Sequence, residues 1–180
     1  MHPKLSPDAS KADVAAMNER AHVVIARMAS HDPQRRRTTS CGCLTYRLGP
    51  NGPEVLLVKP WSHKLTWGVP KGHVNLDAEG NQIEDARMCA YREVLEETGV
   101  HVTVGDELPQ TNAQSFDEDK TVRTFLAVLD DPTARAHAAD GENVAVAWHS
   151  IDRLPPLHAY QVSVVAAALP MIRQRLQAAA

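Results

Sequence analysis

The run Arg92-Glu93-Val94-Leu95-Glu96-Glu97-Thr98-Gly99-Val100 constrains this chain more than any other stretch. Ile83, Ala86, Ala90 and Val94 recur at the spacing of a buried helical stripe, which predicts a helix from about Ile83 to Thr98. Gly99 stands where a C-terminal stop belongs. On that helix Glu93, Glu96 and Glu97 fall at i, i+3 and i+4, so three carboxylates project within one narrow arc. Like charges at that spacing repel, and carboxylates at a helix C-terminus oppose its macrodipole. A bound hard cation would reward the arrangement, because Mg²⁺ takes carboxylate oxygens and completes its octahedron with water and phosphate. An acidic, solvated helix face is the competing reading of the same residues.

Around this helix, β-patterned segments alternate with helical ones. Val14, Met17, Ala21, Val24, Ile25 and Met28 form one stripe of a helix from about Ser10 to Met28, ended by His31-Asp32-Pro33. Residues 1–34 therefore read as an N-terminal helical appendage and linker, and 35–180 as one domain. Strands are expected at Thr38–Leu48 and Glu54–Lys59, joined by the turn Gly49-Pro50-Asn51-Gly52-Pro53. Further strands are expected near Trp67–Val74, His101–Val104, Thr121–Leu129 and Asn143–His149, with a loop from Asp130 to Gly141. A last helix carries Val162, Val165, Leu169, Ile172 and Leu176, and Pro170 should kink or split it. Strands interleaved with helices predict an α/β domain with a mixed sheet between helices.

Composition narrows the function classes. A formal charge of −3 gives no general field for nucleic acid, and the one dense basic run, Arg35-Arg36-Arg37, reads as a solvated linker. Cys41, Cys43 and Cys89 have neither zinc nor redox spacing, and the first two read as small hydrophobes on a strand. The first twenty residues hold no apolar signal core, and the apolar stretch Val162–Ile172 is too short to cross a bilayer. A soluble, cytoplasmic setting is the expectation.

The run from Arg92 resembles the second half of the Nudix box (Arg-Glu-hydrophobic-any-Glu-Glu-any-Gly-hydrophobic) at every fixed position. The first half of that box is a glycine, five residues, a glutamate, then seven residues before the arginine. Glu84 has seven residues between it and Arg92, and Gly72 is the first glycine. Eleven residues separate Gly72 from Glu84, so six are extra; they fall in Asn75–Gln82, which reads as an exposed loop that lengthens at little cost. Trp67-Gly68-Val69-Pro70-Lys71-Gly72-His73-Val74 is similar to the approach to the box in dinucleoside polyphosphate hydrolases and in mRNA-decapping enzymes. Lys120-Thr121-Val122 resembles a strand of the former. The resemblance spans about Thr38 to Leu154 and leaves the N-terminal helix outside.

That resemblance implies a Nudix-like α/β/α sandwich, plus the extra N-terminal helix, and a Mg²⁺-dependent hydrolase (Mn²⁺ substituting) that cleaves a pyrophosphate bond in a nucleoside polyphosphate-type substrate. It implies metal ligation by Glu93, Glu96 and Glu97 with the Gly72 backbone carbonyl, and an orienting role for Arg92. Glu93 is the first choice of general base and Glu142, in a later loop, the second. Lys71, Lys120 and Arg123 are candidates for the phosphates, and Trp67 and Phe116 for stacking a base; each also reads as an ordinary surface or packing residue. The expected partner is a small nucleotide, with no membrane or nucleic acid and with a homodimer left open. Two other functions stay open: removal of pyrophosphate or a cap from RNA 5′ ends, and a catalytically silent nucleotide-binding module.

Overall fold

The computed structural model describes residues 35–62, 65–114, 118–139 and 141–178; the expected N-terminal helix and Phe116 lie outside them. β1 (Arg36–Gly49) and β2 (Gly52–Pro60) make an antiparallel hairpin closed by the pair Gly49–Gly52. The basic run is thus not a linker throughout, since Arg36 and Arg37 open β1, both exposed. Side chains alternate along a strand. Cys41, Cys43 and, from β2, Leu56 enter one apolar cluster, while Leu44, Tyr46, Val55 and Leu57 enter another. Both faces are covered, which is why Val55-Leu56-Leu57-Val58 of β2 is an unbroken apolar run.

The main order of the mixed sheet is β4 (Val102–Glu107), β6 (Glu118–Leu129), β1, β2 and β7 (Asn143–Ser150). β3 (Lys71–His73) pairs with β1, and β5 (Thr111–Gln114) pairs with β6. β5 was not expected. Its sequence, Thr-Asn-Ala-Gln, has no large apolar residue, and it exists because β6 begins three residues earlier than expected and offers an edge from Asp119 to Val122. α1 (Ala86–Thr98) packs on the cluster of Cys41, Cys43, Phe125 and Ala127. α2 (Val162–Ala178) packs on the opposite cluster through Val164, Val165, Ala168 and Ile172. The architecture is the α/β/α sandwich anticipated for the domain.

α1 starts later than its apolar periodicity suggests. Asp85 caps it, its carboxylate accepting from the amides of Arg87 and Met88 at 2.8 Å each. Ile83 consequently precedes the helix and is 63% exposed, a correction to its place on the buried stripe. Gly99 ends α1 at φ 70°, a left-handed conformation open to glycine, and its amide donates to the Leu95 carbonyl at 2.9 Å. Pro170 does not split α2. It removes one amide, but its fixed φ is helical and the helix runs on to Ala178. Val162 at the start of α2 is exposed, not buried as its periodicity suggests. No helix among the described residues is long and apolar enough to cross a membrane.

Candidate active site

Two glycines let β3 come close to β1 on one side and to α1 on the other. Gly42 pairs with Lys71, and a Cβ there would run into the Pro70 carbonyl oxygen and the Lys71 side chain. One residue on, a Cβ at Gly72 would occupy the position of the Glu93 carboxylate. The glycine that the box spacing singles out is therefore the one against which the first helix glutamate lies.

Arg92 gathers the carboxylates. Its Nε and Nη2 donate to the two oxygens of Glu84 at 3.1 and 2.6 Å. Its Nη1 donates to Glu93 at 2.6 Å and to Glu96 at 2.8 Å, and Nη2 also reaches the His73 carbonyl at 2.9 Å. A planar fork is the group suited to such a task. Glu84 takes a further hydrogen bond from the Asn75 amide at 2.8 Å, so the long insertion is pinned at both ends of its loop. The loop between is exposed and held by Asp77, which accepts from the Asn81 amide at 2.7 Å and from its side chain at 3.0 Å.

The same contacts separate the acids electrostatically. Hydrogen bonding to Arg92 holds the Glu84 carboxyl below its usual range. At Glu93 burial dominates and pushes the carboxyl up, against the opposing pull of Arg92. Glu97, only 7% exposed, faces away from this hub. It accepts from the Lys71 amide at 3.2 Å and from the Asn143 side chain at 3.3 Å.

Glu97 lies in the wall of a cleft of about 630 Å³, with Lys71, Lys120, Glu142, Asn143, His158 and Tyr160 among the other lining residues. The sequence candidates Lys71, Lys120, Glu97 and Glu142 thus meet in one cavity. Arg123 does not line it: its guanidinium is engaged by Glu107 at 2.8 and 2.7 Å. Trp67 is absent from the lining too, packing edge-on against His149 with ring centroids 4.5 Å apart. Glu93 and Glu96 are held by Arg92, outside the lining. Among the described residues no three acidic, histidine or cysteine side chains converge closely enough to hold a metal ion as they stand.

Glu118 escaped the sequence reading. It opens β6, is 6% exposed, lines the cleft, and pairs with His73 at 3.0 Å and Lys120 at 3.2 Å. Burial alone would raise its carboxyl; hydrogen bonds from neighbours, His73 and Lys120 among them, outweigh that and hold it at about 2. The available signal was the strand alternation, which carries back from Val122 through Lys120 to Glu118. Tyr160, at the entrance to α2, was also missed. Burial, with the charge of Glu97 adding to it, pushes its phenol up to about 12, so it stays protonated at neutral pH.

The NUDIX domain family model matches residues 36–168. The chain is 31% identical over 101 residues to the mRNA-decapping enzyme subunit 2 of Arabidopsis thaliana, a match covering 56% of this chain and a quarter of that relative's length (25%). Its fold is similar to the crystal structure of a MutT NUDIX hydrolase from Burkholderia pseudomallei, with TM-score 0.60, 21% identity, and 73% and 98% of the two chains covered. It is also similar to a C. elegans Ap4A hydrolase binary complex, with TM-score 0.54, 21% identity, and 78% and 96% covered. A match from β1 into the first turns of α2, joined to a glutamate-bearing helix laid against Gly72, leads to one assignment: the chain belongs to the NUDIX domain family.

Proposed function

We propose that this Nudix-type pyrophosphohydrolase cleaves a phosphoric anhydride in a nucleoside polyphosphate-type substrate, with dinucleoside polyphosphates the first to test. The observation that carries the reading is the Arg92 hub, in which one guanidinium ties Glu84, ahead of α1, to Glu93 and Glu96 on the helix whose Glu97 enters the cleft. On this reading residues 35–180 are the catalytic domain and 1–34 an appendage.

The donor set suits a hard divalent cation. Glu93, Glu96 and Glu97 offer only oxygen, and Glu93 is a buried carboxylate whose burial already disfavours its charge. Glu93 and Glu96 would hold Mg²⁺ (or Mn²⁺) in exchange for their bonds to Arg92 Nη1, with Glu97 and the Gly72 carbonyl as further ligands. When bound, the ion neutralises phosphate charge and lowers the pKa of water. The rest falls to the chain. Lys71 and Lys120 hold the phosphates, and Lys120 is oriented for this by Glu118. Glu93, its carboxyl raised by burial, is the first choice to accept the proton of the attacking water, and Glu142 in the cleft wall is the second. Arg92, through its remaining bonds to Glu84 and the His73 carbonyl, keeps α1 in register with β3.

The Arabidopsis relative favours a second reading, hydrolysis at an RNA 5′ end, on the strength of 31% identity over the aligned 101 residues. Incubation with Mg²⁺ and a panel of dinucleoside polyphosphates, nucleoside diphosphate derivatives and 5′-triphosphorylated RNA, in ¹⁸O-labelled water, separates the two. We expect label in one product phosphate, the highest kcat/KM on a dinucleoside polyphosphate, and a fall of orders of magnitude in turnover for Glu97→Gln with the fold retained. A tenfold preference for the RNA, about 1.4 kcal/mol of transition-state energy, would give the second reading its place. No turnover of any substrate would sink both and leave a silent binding module.

A further inference from the structure

One wall of the cleft is not used by the chemistry just described. Among the described residues, the aromatic rings lining the cleft are His158 and Tyr160, on the turn that leads into α2. The two rings are nearly parallel, 5° apart in plane with centroids separated by 5.8 Å. His158 is fixed where it stands. Its amide donates to the Trp67 carbonyl at 3.0 Å, its Nδ1 lies 3.0 Å from Thr66 Oγ1, and its Cδ2–Nε2 edge fills the space over Gly68. A Cβ at Gly68 would displace that ring. The stack therefore has a rigid back, His158 against Gly68, and presents Tyr160 to the cavity shared with Lys71, Lys120 and Glu97. β5 packs against the same turn and brings the amides of Asn112 and Gln114 into the lining. A flat apolar face, side-chain amides and cations a few residues away make up the set that an aromatic base joined to phosphates requires.

We propose that Tyr160 is a specificity-determining residue whose ring, backed by His158, stacks the nucleobase of the substrate. The inference rests on the nucleotide reading above and adds which surface receives the base. Base–aromatic stacking contributes enough to be read directly as affinity when the ring is removed.

The test is calorimetric titration of the full chain in magnesium-containing buffer with ADP, GDP, CDP and UDP, against inorganic pyrophosphate as the base-free probe. We expect at least one nucleoside diphosphate to bind the wild type tenfold or more tightly than pyrophosphate. Tyr160→Ala should erase that margin while binding pyrophosphate as the wild type does, and Tyr160→Phe should keep it within about twofold. The proposal is overturned by a wild type without the margin, by a Tyr160→Ala variant that keeps it or loses pyrophosphate equally, or by Tyr160→Phe losing as much as Tyr160→Ala. A wild type that hydrolyses the nucleotide panel yet shows no margin removes this inference alone, whereas absence of hydrolysis strikes the reading beneath it.

Discussion

Removing the Arg92 guanidinium should unfold this domain more readily than any other single charge deletion in the site. Five hydrogen bonds to oxygen are lost: two to Glu84, one each to Glu93 and Glu96, and one to the His73 carbonyl. The Glu96 side chain is 52% exposed, so its share is that of a surface pair, below about 1 kcal/mol. Glu84 and Glu93 differ, with side chains 8% and 12% exposed. Stranding a buried carboxylate by deleting its partner costs about 3–5 kcal/mol, and Arg92→Ala should fall in that range. Arg92→Lys should cost roughly half as much, because an ammonium can meet one carboxylate but cannot span three with a planar fork. Urea unfolding followed by circular dichroism gives both values from the midpoint, provided the slope is unchanged. Adding Glu84→Gln to Arg92→Ala should recover part of the loss, since the stranded charge is then gone. A cost under about 1 kcal/mol for Arg92→Ala, or a lysine variant as stable as the wild type, would refute the hub as a structural element.

Two other perturbations read neighbouring parts of the site. The Glu118 carboxyl is held at about 2 against an ordinary 4.5, so its contribution to stability is full above about pH 4.5 and is lost as pH falls toward 2. Acid unfolding of Glu118→Gln should therefore show a flatter fall in stability than the wild type across that window, and identical curves would remove Glu118 as a buried anchor. Deleting residues 76–81, which leaves the Asn75 amide on Glu84, should lower the melting temperature by only a few degrees and change KM more than kcat. A trimmed protein that does not fold would place the loop in the core.

The sequence disclosed the parts of this site that follow a helical or strand period, and little of what depends on long-range approach. Glu93, Glu96 and Glu97 were legible as helix carboxylates at i, i+3 and i+4, although Glu97 lines the cleft while the other two turn to Arg92, and Gly72 was legible because the box spacing reaches back to it. Glu84 was legible through the same spacing despite the insertion, and its bidentate bond to Arg92 accounts for why that spacing matters. β5 was not, since Thr111–Gln114 has no large apolar residue and its pairing is dictated by β6, and Glu118 was missed because the alternation that reaches it from Val122 passes through polar residues. Trp67 was read as a candidate for stacking because composition cannot tell a ring packed on His149 from one that faces a cavity.

The crowding of like charges at the end of α1 has a second resolution besides a metal ion. Arg92 lies on the same helix, one residue before Glu93 and four before Glu96, and its side chain meets both while reaching across to Glu84. The helix can thus fold with Glu93 and Glu96 already compensated, and their repulsion need not wait for a cation. A divalent ion held as proposed would have to compete with Nη1 for Glu93 and Glu96, whereas the partners of Glu97 include an amide of the backbone and one of Asn143. Displacing those neutral donors costs less than displacing a guanidinium. If the proposed metal reading holds, Glu97→Gln should weaken Mg²⁺ binding, read by calorimetric titration, with less loss of stability than Glu93→Gln, and an unchanged Mg²⁺ affinity would refute Glu97 as a ligand.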